Sequence, residues 1–191
     1  MRSYKVNRKT LETSVKVKVT LDGDGIYSVD TGISYLDHMI NSFSKHSLID
    51  LEIKAKGDLK HHIVEDVALS LGEAISNALG KRDNIARFGN AVVPMDGSLA
   101  SVSIDLVKRP YAKINLEIEH DCIEDMIKED IQHFLQSFIQ SLEATIHINV
   151  EYGDDDHHKV EAAFKALALS LRQAIKIDLQ RKTPPSAKGV M

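Results

Sequence analysis

Residues 61–80, HHIVEDVALSLGEAISNALG, return in altered form at 157–175 as HHKVEAAFKALALSLRQAI. Both stretches place apolar residues three and four apart, the spacing of an amphipathic helix, and the first ends at Gly80, a common helix stop. Each follows an alternating segment. LIDLEIKAKGD (48–58) sets Ile49, Leu51 and Ile53 against Leu48, Asp50 and Glu52, and ATIHINVEYG (144–153) also reads as a strand, so a strand leads into each long helix. Further upstream, SVKVKVTLDGDGIYSVD (14–30) alternates and turns at Gly23 and Gly25, which predicts a β-hairpin with one buried face. Ser34-Tyr35-Leu36-Asp37 has the form of a capping box and opens an amphipathic helix to about His46. The order recurs later: SLASVSIDLVKRPYAKINLEIE (98–119) alternates in two runs, and IEDMIKEDIQHFLQSFIQSL (123–142) is helical in period. The expected fold is therefore α+β, a tandem duplication of a ββαβα unit giving two four-stranded sheets packed with helices. Residues 1–191 are expected to form a single domain of two pseudo-equivalent halves, 11–80 and 98–178. RFGNAVVPMDG (87–97) is read as the junction, and TPPSAKGVM (183–191) as a C-terminal tail.

The chemistry-bearing residues follow the same repeat. His38 precedes His61-His62 by 23 residues with Glu65 beyond, and His133 precedes His157-His158 by 24 with Glu161 beyond. Each half thus reads H, a strand, then H-H-x-x-E. At 100° per residue His61 and Glu65 share a helix face, whereas His62 lies about 100° round from His61. Adjacent imidazoles that diverge in this way do not serve one ion comfortably, so the eight residues suit two metal sites fed from several elements or from neighbouring subunits. A lone histidine on such a helix is ordinarily packed or solvated. Recurrence of the whole pattern in both halves points instead to metal ligation. His120 and His147 fall outside it and read as structural. Six imidazoles and two carboxylates suit Zn, Mn, Fe or Ni, and the spacing alone leaves that choice open.

Composition excludes other classes. Twenty-four Lys+Arg against 28 Asp+Glu leave a formal charge of −4, which gives no general basic footprint for nucleic acid. No uninterrupted apolar run approaches the roughly 18 residues of a membrane span. The single Cys122 cannot close an intramolecular disulfide, and MRSYKVNRKTLE lacks the apolar core of a signal peptide, so the expected location is the cytoplasm.

SYLDHM, GDLKHHIVEDV, ARFGNAVVPMDGSL, DLVKRPY, QHF, GDDDHHKVEAAFKAL and PSAKGVM occur in this order. The set resembles the successive motifs of the imidazoleglycerol-phosphate dehydratases from Arg8 onward. The resemblance implies dehydration of imidazole glycerol phosphate to imidazole acetol phosphate in histidine biosynthesis. It also implies two Mn²⁺ ions per active site and a 24-subunit homo-oligomer with active sites between subunits. His38, His61, His62, Glu65, His133, His157, His158 and Glu161 match the family's metal ligands. Glu12 matches an acidic residue at the reacting carbons and is the leading proton-transfer candidate, with Asp96 and Glu161 as further catalytic carboxylates. Arg87, Arg109, Lys165, Ser186 and Lys188 match the phosphate-binding set. Glu12, His38, His46, His61, Glu65 and His157 are the other expected substrate contacts. Read singly, Lys165 forms an i,i+4 salt bridge with Glu161 and Asp96 is a turn residue.

The implied reaction explains the use of metal. Nothing beside the departing C–H makes it acidic. A metal-bound imidazolate could expel the hydroxyl on the ring-attached carbon, giving a diazafulvene-like intermediate that acidifies that bond. A carboxylate then removes the proton and the enol becomes a ketone. The chain departs from the family pattern in a shorter loop before His61 and in Ser42, Ile63, Gly97 and the Val107–Pro110 turn. Two rival functions use the same ligands: a dinuclear phosphoesterase and a non-catalytic metal-binding shell.

Overall fold

Valines 15, 17 and 19 alternate with lysines, and a strand sends successive side chains to opposite faces. The valines of β2 (Thr13–Thr20) are accordingly buried while Lys16 and Lys18 face solvent. In this computed structural model, which describes residues 1–181 and 183–186, the first half continues on that principle. β1 (Ser3–Lys9) precedes β2, and β3 (Tyr27–Asp30), α1 (Ser34–Ser47), β4 (Asp50–Gly57) and α2 (Lys60–Leu79) follow. The second half comprises β5 (Phe88–Met95), β6 (Ser98–Asp105), β7 (Tyr111–Asn115), a small ribbon of β8 (Cys122–Ile123) and β9 (Met126–Ile127), α3 (Lys128–Leu142), β10 (Thr145–Tyr152) and α4 (Asp156–Ala174).

The strands form two four-stranded sheets of matching order, β1-β2-β4-β3 and β5-β6-β10-β7. In both, the last pair is parallel and the others antiparallel. Matching registers bring Val17 opposite Ile53 and Val102 opposite Ile148, all four buried. Each such side chain contributes about 1.5–3 kcal/mol on burial. α2 lies on β1 and β2, α4 lies on β5 and β6, and across the halves α2 packs on α3 and α1 on α4. The α+β architecture with two four-stranded sheets is as expected. Close helix approach needs Gly72, where a Cβ would stand 2.6 Å from the Phe138 carbonyl oxygen. Among the described residues no helix is long and apolar enough to cross a membrane.

Four local expectations differ. The unit is one strand longer than ββαβα, because β1 and β5 complete the sheets; the boundaries at 11 and 98 omit them, and the 87–97 junction is largely β5. The 14–30 segment is no hairpin, since β4 lies between β2 and β3; the hairpin pairs β1 with β2. Residues 122–127 form the β8–β9 ribbon, so α3 begins at Lys128. The Ser34 box is replaced by tertiary capping. Asp37 accepts from the Thr31 amide and hydroxyl, while the Ser34 and Tyr35 amides donate to Asp125 of the other half, at 2.8 and 2.9 Å.

Candidate metal centres

Helix packing across the halves decides which ligand-type residues meet. His38 of α1 joins His157 and Glu161 of α4, and His133 of α3 joins His61 and Glu65 of α2. Within each group the candidate donor atoms all lie within 4.8 Å of one another. The i,i+4 spacing puts His157 Nε2 3.6 Å from Glu161 Oε2, and His38 Nε2 reaches the same oxygen at 3.6 Å. In the other group His133 Nε2 is 3.6 Å from Glu65 Oε1, and the His61 and His133 rings stack with centroids 4.9 Å apart. Among the described residues the buried His133 Nε2 has no hydrogen-bond partner. A buried nitrogen lone pair left without a donor, beside a carboxylate and a second imidazole, suits a divalent cation. Three protein donors leave coordination positions open.

His62 and His158 stand apart from both groups, as one further residue of helix rotation requires. His62 Nδ1 lies 2.8 Å from Asp58 Oδ1 and 3.7 Å from Glu12 Oε2. The Asp58 carboxylate raises the His62 pKa above the ordinary imidazole value, and the same hydrogen bond holds Asp58 low. His158 Nε2 is 3.6 Å from Asp96 Oδ2. Glu12 and Asp96 occupy corresponding turns, between β1 and β2 and between β5 and β6. Each proton-transfer candidate therefore lies beside the histidine that is left out of the trios.

Carboxylates that the sequence reading passed over hold His61 and His157. His61 Nδ1 is 2.6 Å from Asp130 Oδ1, and His157 Nδ1 is 3.2 Å from Glu124 Oε1. A carboxylate at Nδ1 fixes the proton there and leaves Nε2 as the donor to a metal. The available signal for Asp130 was its place three residues before His133 on one helix face.

Lys165 Nζ sits 2.9 Å from Glu161 Oε1, forming the i,i+4 pair, and 3.1 Å from Met95 Sδ. Burial opposes ionisation of Glu161, yet Lys165 holds its carboxyl below the usual range. His46, in the last turn of α1, is pushed down by burial and by the Lys165 charge. The remaining phosphate candidates are elsewhere in the chain. Arg87 donates to Asp105 at 2.6 Å and to the Pro185 carbonyl, and its amide bonds to Ala174 at the far end of α4, roughly 20 Å of helix from Glu161. Arg109 lies beyond the C-terminus of α3, its carbonyl accepting from Thr145. Ser186 is beside Pro184 in the tail, and Lys188 lies outside the described residues.

Residues 31–171 match the sequence profile of the family described as imidazoleglycerol-phosphate dehydratase. The dehydratase of that name from Methanothermobacter thermautotrophicus is 48% identical over 192 residues, covering 99% of this chain and 97% of that protein. The chain belongs to the imidazoleglycerol-phosphate dehydratase family. It is thereby a hydro-lyase of a family that serves histidine biosynthesis. Its Methanocella arvoryzae relative is 47% identical over 194 residues, covering both chains completely. Two solved structures of imidazoleglycerol-phosphate dehydratase share the fold. That from Staphylococcus aureus is 28% identical with a TM-score of 0.84, over 92% of this chain and 99% of that one. That from Pyrococcus furiosus, in complex with (S)-C348, is 37% identical with a TM-score of 0.83, over 97% and 100%.

Proposed function

We propose that this chain dehydrates imidazole glycerol phosphate to imidazole acetol phosphate with two Mn²⁺ ions per active site. The observation that carries the reading is the trio of two imidazoles and a carboxylate built twice, each time across the two halves. His38, His157 and Glu161 would hold one ion; His61, Glu65 and His133 would hold the other. Bound there, the ions would supply Lewis-acid charge that favours the imidazolate form of the substrate ring. Departure of the hydroxyl from the ring-attached carbon leaves a diazafulvene-like system whose conjugation acidifies the neighbouring C–H. Glu12 accepts that proton, assisted by Asp96, and the resulting enol becomes the ketone. The proton removed and the hydroxide lost balance as one water. Arg87, Arg109, Lys165, Ser186 and Lys188 bind the phosphate, the guanidinium forks matching its oxygens.

Two features support active sites shared among copies in a closed shell of about 24 chains. Arg87 and Arg109 lie at the helix ends away from this chain's own donor trios. His62 and His158 belong to neither trio of this chain, which leaves them as ligands for the groups of neighbouring copies. A biosynthetic hydro-lyase of this kind works in the cytoplasm.

Incubating Mn²⁺-loaded protein with imidazole glycerol phosphate tests the reading. The ketone is the expected product; release of inorganic phosphate would mark a phosphoesterase, and no turnover would favour the metal-binding shell. Light scattering of the same sample should give a mass near that of 24 chains of 21.3 kDa.

A further inference from the structure

Each donor trio consists of two histidines and a glutamate, but their surroundings differ at corresponding helix positions. Three residues before His133 stands Asp130, whose side chain is 8% exposed and lies 2.6 Å from His61 Nδ1. Three residues before His38 stands Tyr35, which meets the His157 ring edge-on, with centroids 5.0 Å apart, and donates its hydroxyl to the His157 carbonyl at 3.5 Å, but brings no carboxylate to Nδ1. The carboxylate at His157 comes instead from Glu124 in the ribbon, longer at 3.2 Å and 61% exposed. Four residues after Glu161 stands Lys165, whose ammonium already pairs with that carboxylate. Four residues after Glu65 stands Leu69, and among the described residues no lysine or arginine pairs with Glu65.

Both differences act in one direction. A buried carboxylate holding Nδ1–H orients the imidazole and makes Nε2 a better donor, an arrangement whose loss typically weakens metal binding about 10–100-fold. Water screens an exposed partner, so the same contact is worth less there. A cation paired with a ligating carboxylate competes with the metal for its charge. We infer that Asp130 is a positioning residue that makes His61/Glu65/His133 the tighter of the two metal sites, filled first, while Lys165 keeps His38/His157/Glu161 the weaker. This rests on the dinuclear reading proposed above.

The test is a Mn²⁺ titration of the full, metal-stripped protein, followed by calorimetry and by the electron paramagnetic resonance signal of free Mn²⁺. Two classes of one equivalent per chain are expected, at least about tenfold apart. His61→Ala should remove the tight class and His157→Ala the weak one. Asp130→Ala should weaken only the tight class, by about 10–100-fold. Asp130→Asn, which keeps the size and an acceptor oxygen, should weaken it less, and it serves if the alanine variant fails to fold. Lys165→Met should tighten the weak class alone. A single class of two equal equivalents, or an Asp130→Asn protein with both classes unchanged, would overturn the inference while leaving the dinuclear reading intact. Two equivalents retained in both His61→Ala and His157→Ala would overturn the dinuclear reading as well.

Discussion

The two halves of the chain share strand order, helix placement and ligand pattern, yet they fill equivalent helix positions with opposite chemistry. The residue before the paired histidines is Lys60 in one half and Asp156 in the other. Lys60 reaches out to the Asp125 carbonyl at 3.0 Å. Asp156 is buried, pairs with Lys159 at 3.0 Å, and accepts from the Glu119 and His120 amides and from His120 Nδ1. A donor trio tolerates little variation if an ion bound there sets distance and charge. The groups around it need only hold the helices and the rings, so several solutions serve. His120, read from the sequence as structural, belongs to one of them.

Substitutions at matched positions can break or sharpen this comparison. The largest effect is expected at the paired turns. Glu12→Gln should lower turnover about 10²–10⁴-fold with unchanged metal content, and Asp96→Asn should cost less. Equal losses in steady-state assays of the two variants would mean that the turns share the proton-transfer task.

Next come two arginines of the first half that bind carbonyls at helix ends of the second. Arg82 is fully buried and donates to the Leu142 and Glu143 carbonyls, at 2.8 and 2.9 Å, and to Ser76. Arg2 reaches the Ile175 carbonyl at 2.7 Å but is part-exposed and held by Asp22. Arg82→Ala leaves buried carbonyls unpaired and should cost about 3 kcal/mol, whereas Arg2→Ala should cost about 1 kcal/mol or less. Urea unfolding of both variants measures the difference; equal losses would show that burial of the guanidinium adds nothing.

The smallest effect concerns acid. Burial opposes ionisation of Asp156, but its hydrogen bonds from His120, Lys159 and Glu119 hold the carboxyl far below its ordinary value. A depressed folded-state pKa contributes stability that is present above the unfolded value, about 3.9, and fades as pH falls toward the folded one. Asp156→Asn should therefore lose about 1–2 kcal/mol at neutral pH and show a flatter stability curve than the parent between roughly pH 5 and 2. Lys60→Ala, at the matching position, should keep the parental slope; a parental slope in Asp156→Asn would remove this network from the account.

Much of this was legible in the sequence where period and burial coincide. β2, β4, β6 and β10 alternate cleanly because one face of each is buried, and the 61–80 and 157–175 helices carry a clear helical period, the first with a stop at Gly80. β1 was not legible, because SYKVNRK buries only Val6 at the sheet edge. β5 hides its one fully buried position in Gly89, whose missing side chain leaves room for the Ser170 carbonyl. β2 and β3 read as a hairpin because Gly23 and Gly25 mark a turn without saying which strand comes back; β4 inserts between them and pairs with β3 in parallel. The ligand types and their i,i+4 geometry could be read directly. The exchange of His38 and His133 between halves could not, since it depends on which helices pack together. Glu124 was silent, and Asp130 offered only its place three residues before His133, a single acid on a helix or ribbon being ordinary until a histidine is found at its oxygen.

That exchange has a consequence for the chain as a whole. Neither half contains a complete trio, so two separate half-length chains would have to find each other before either could hold an ion. Joining them covalently makes that meeting intramolecular, at an effective concentration that short connections set in the millimolar range. Both trios then assemble however dilute the protein is, and the two copies of the repeat are no longer obliged to be identical.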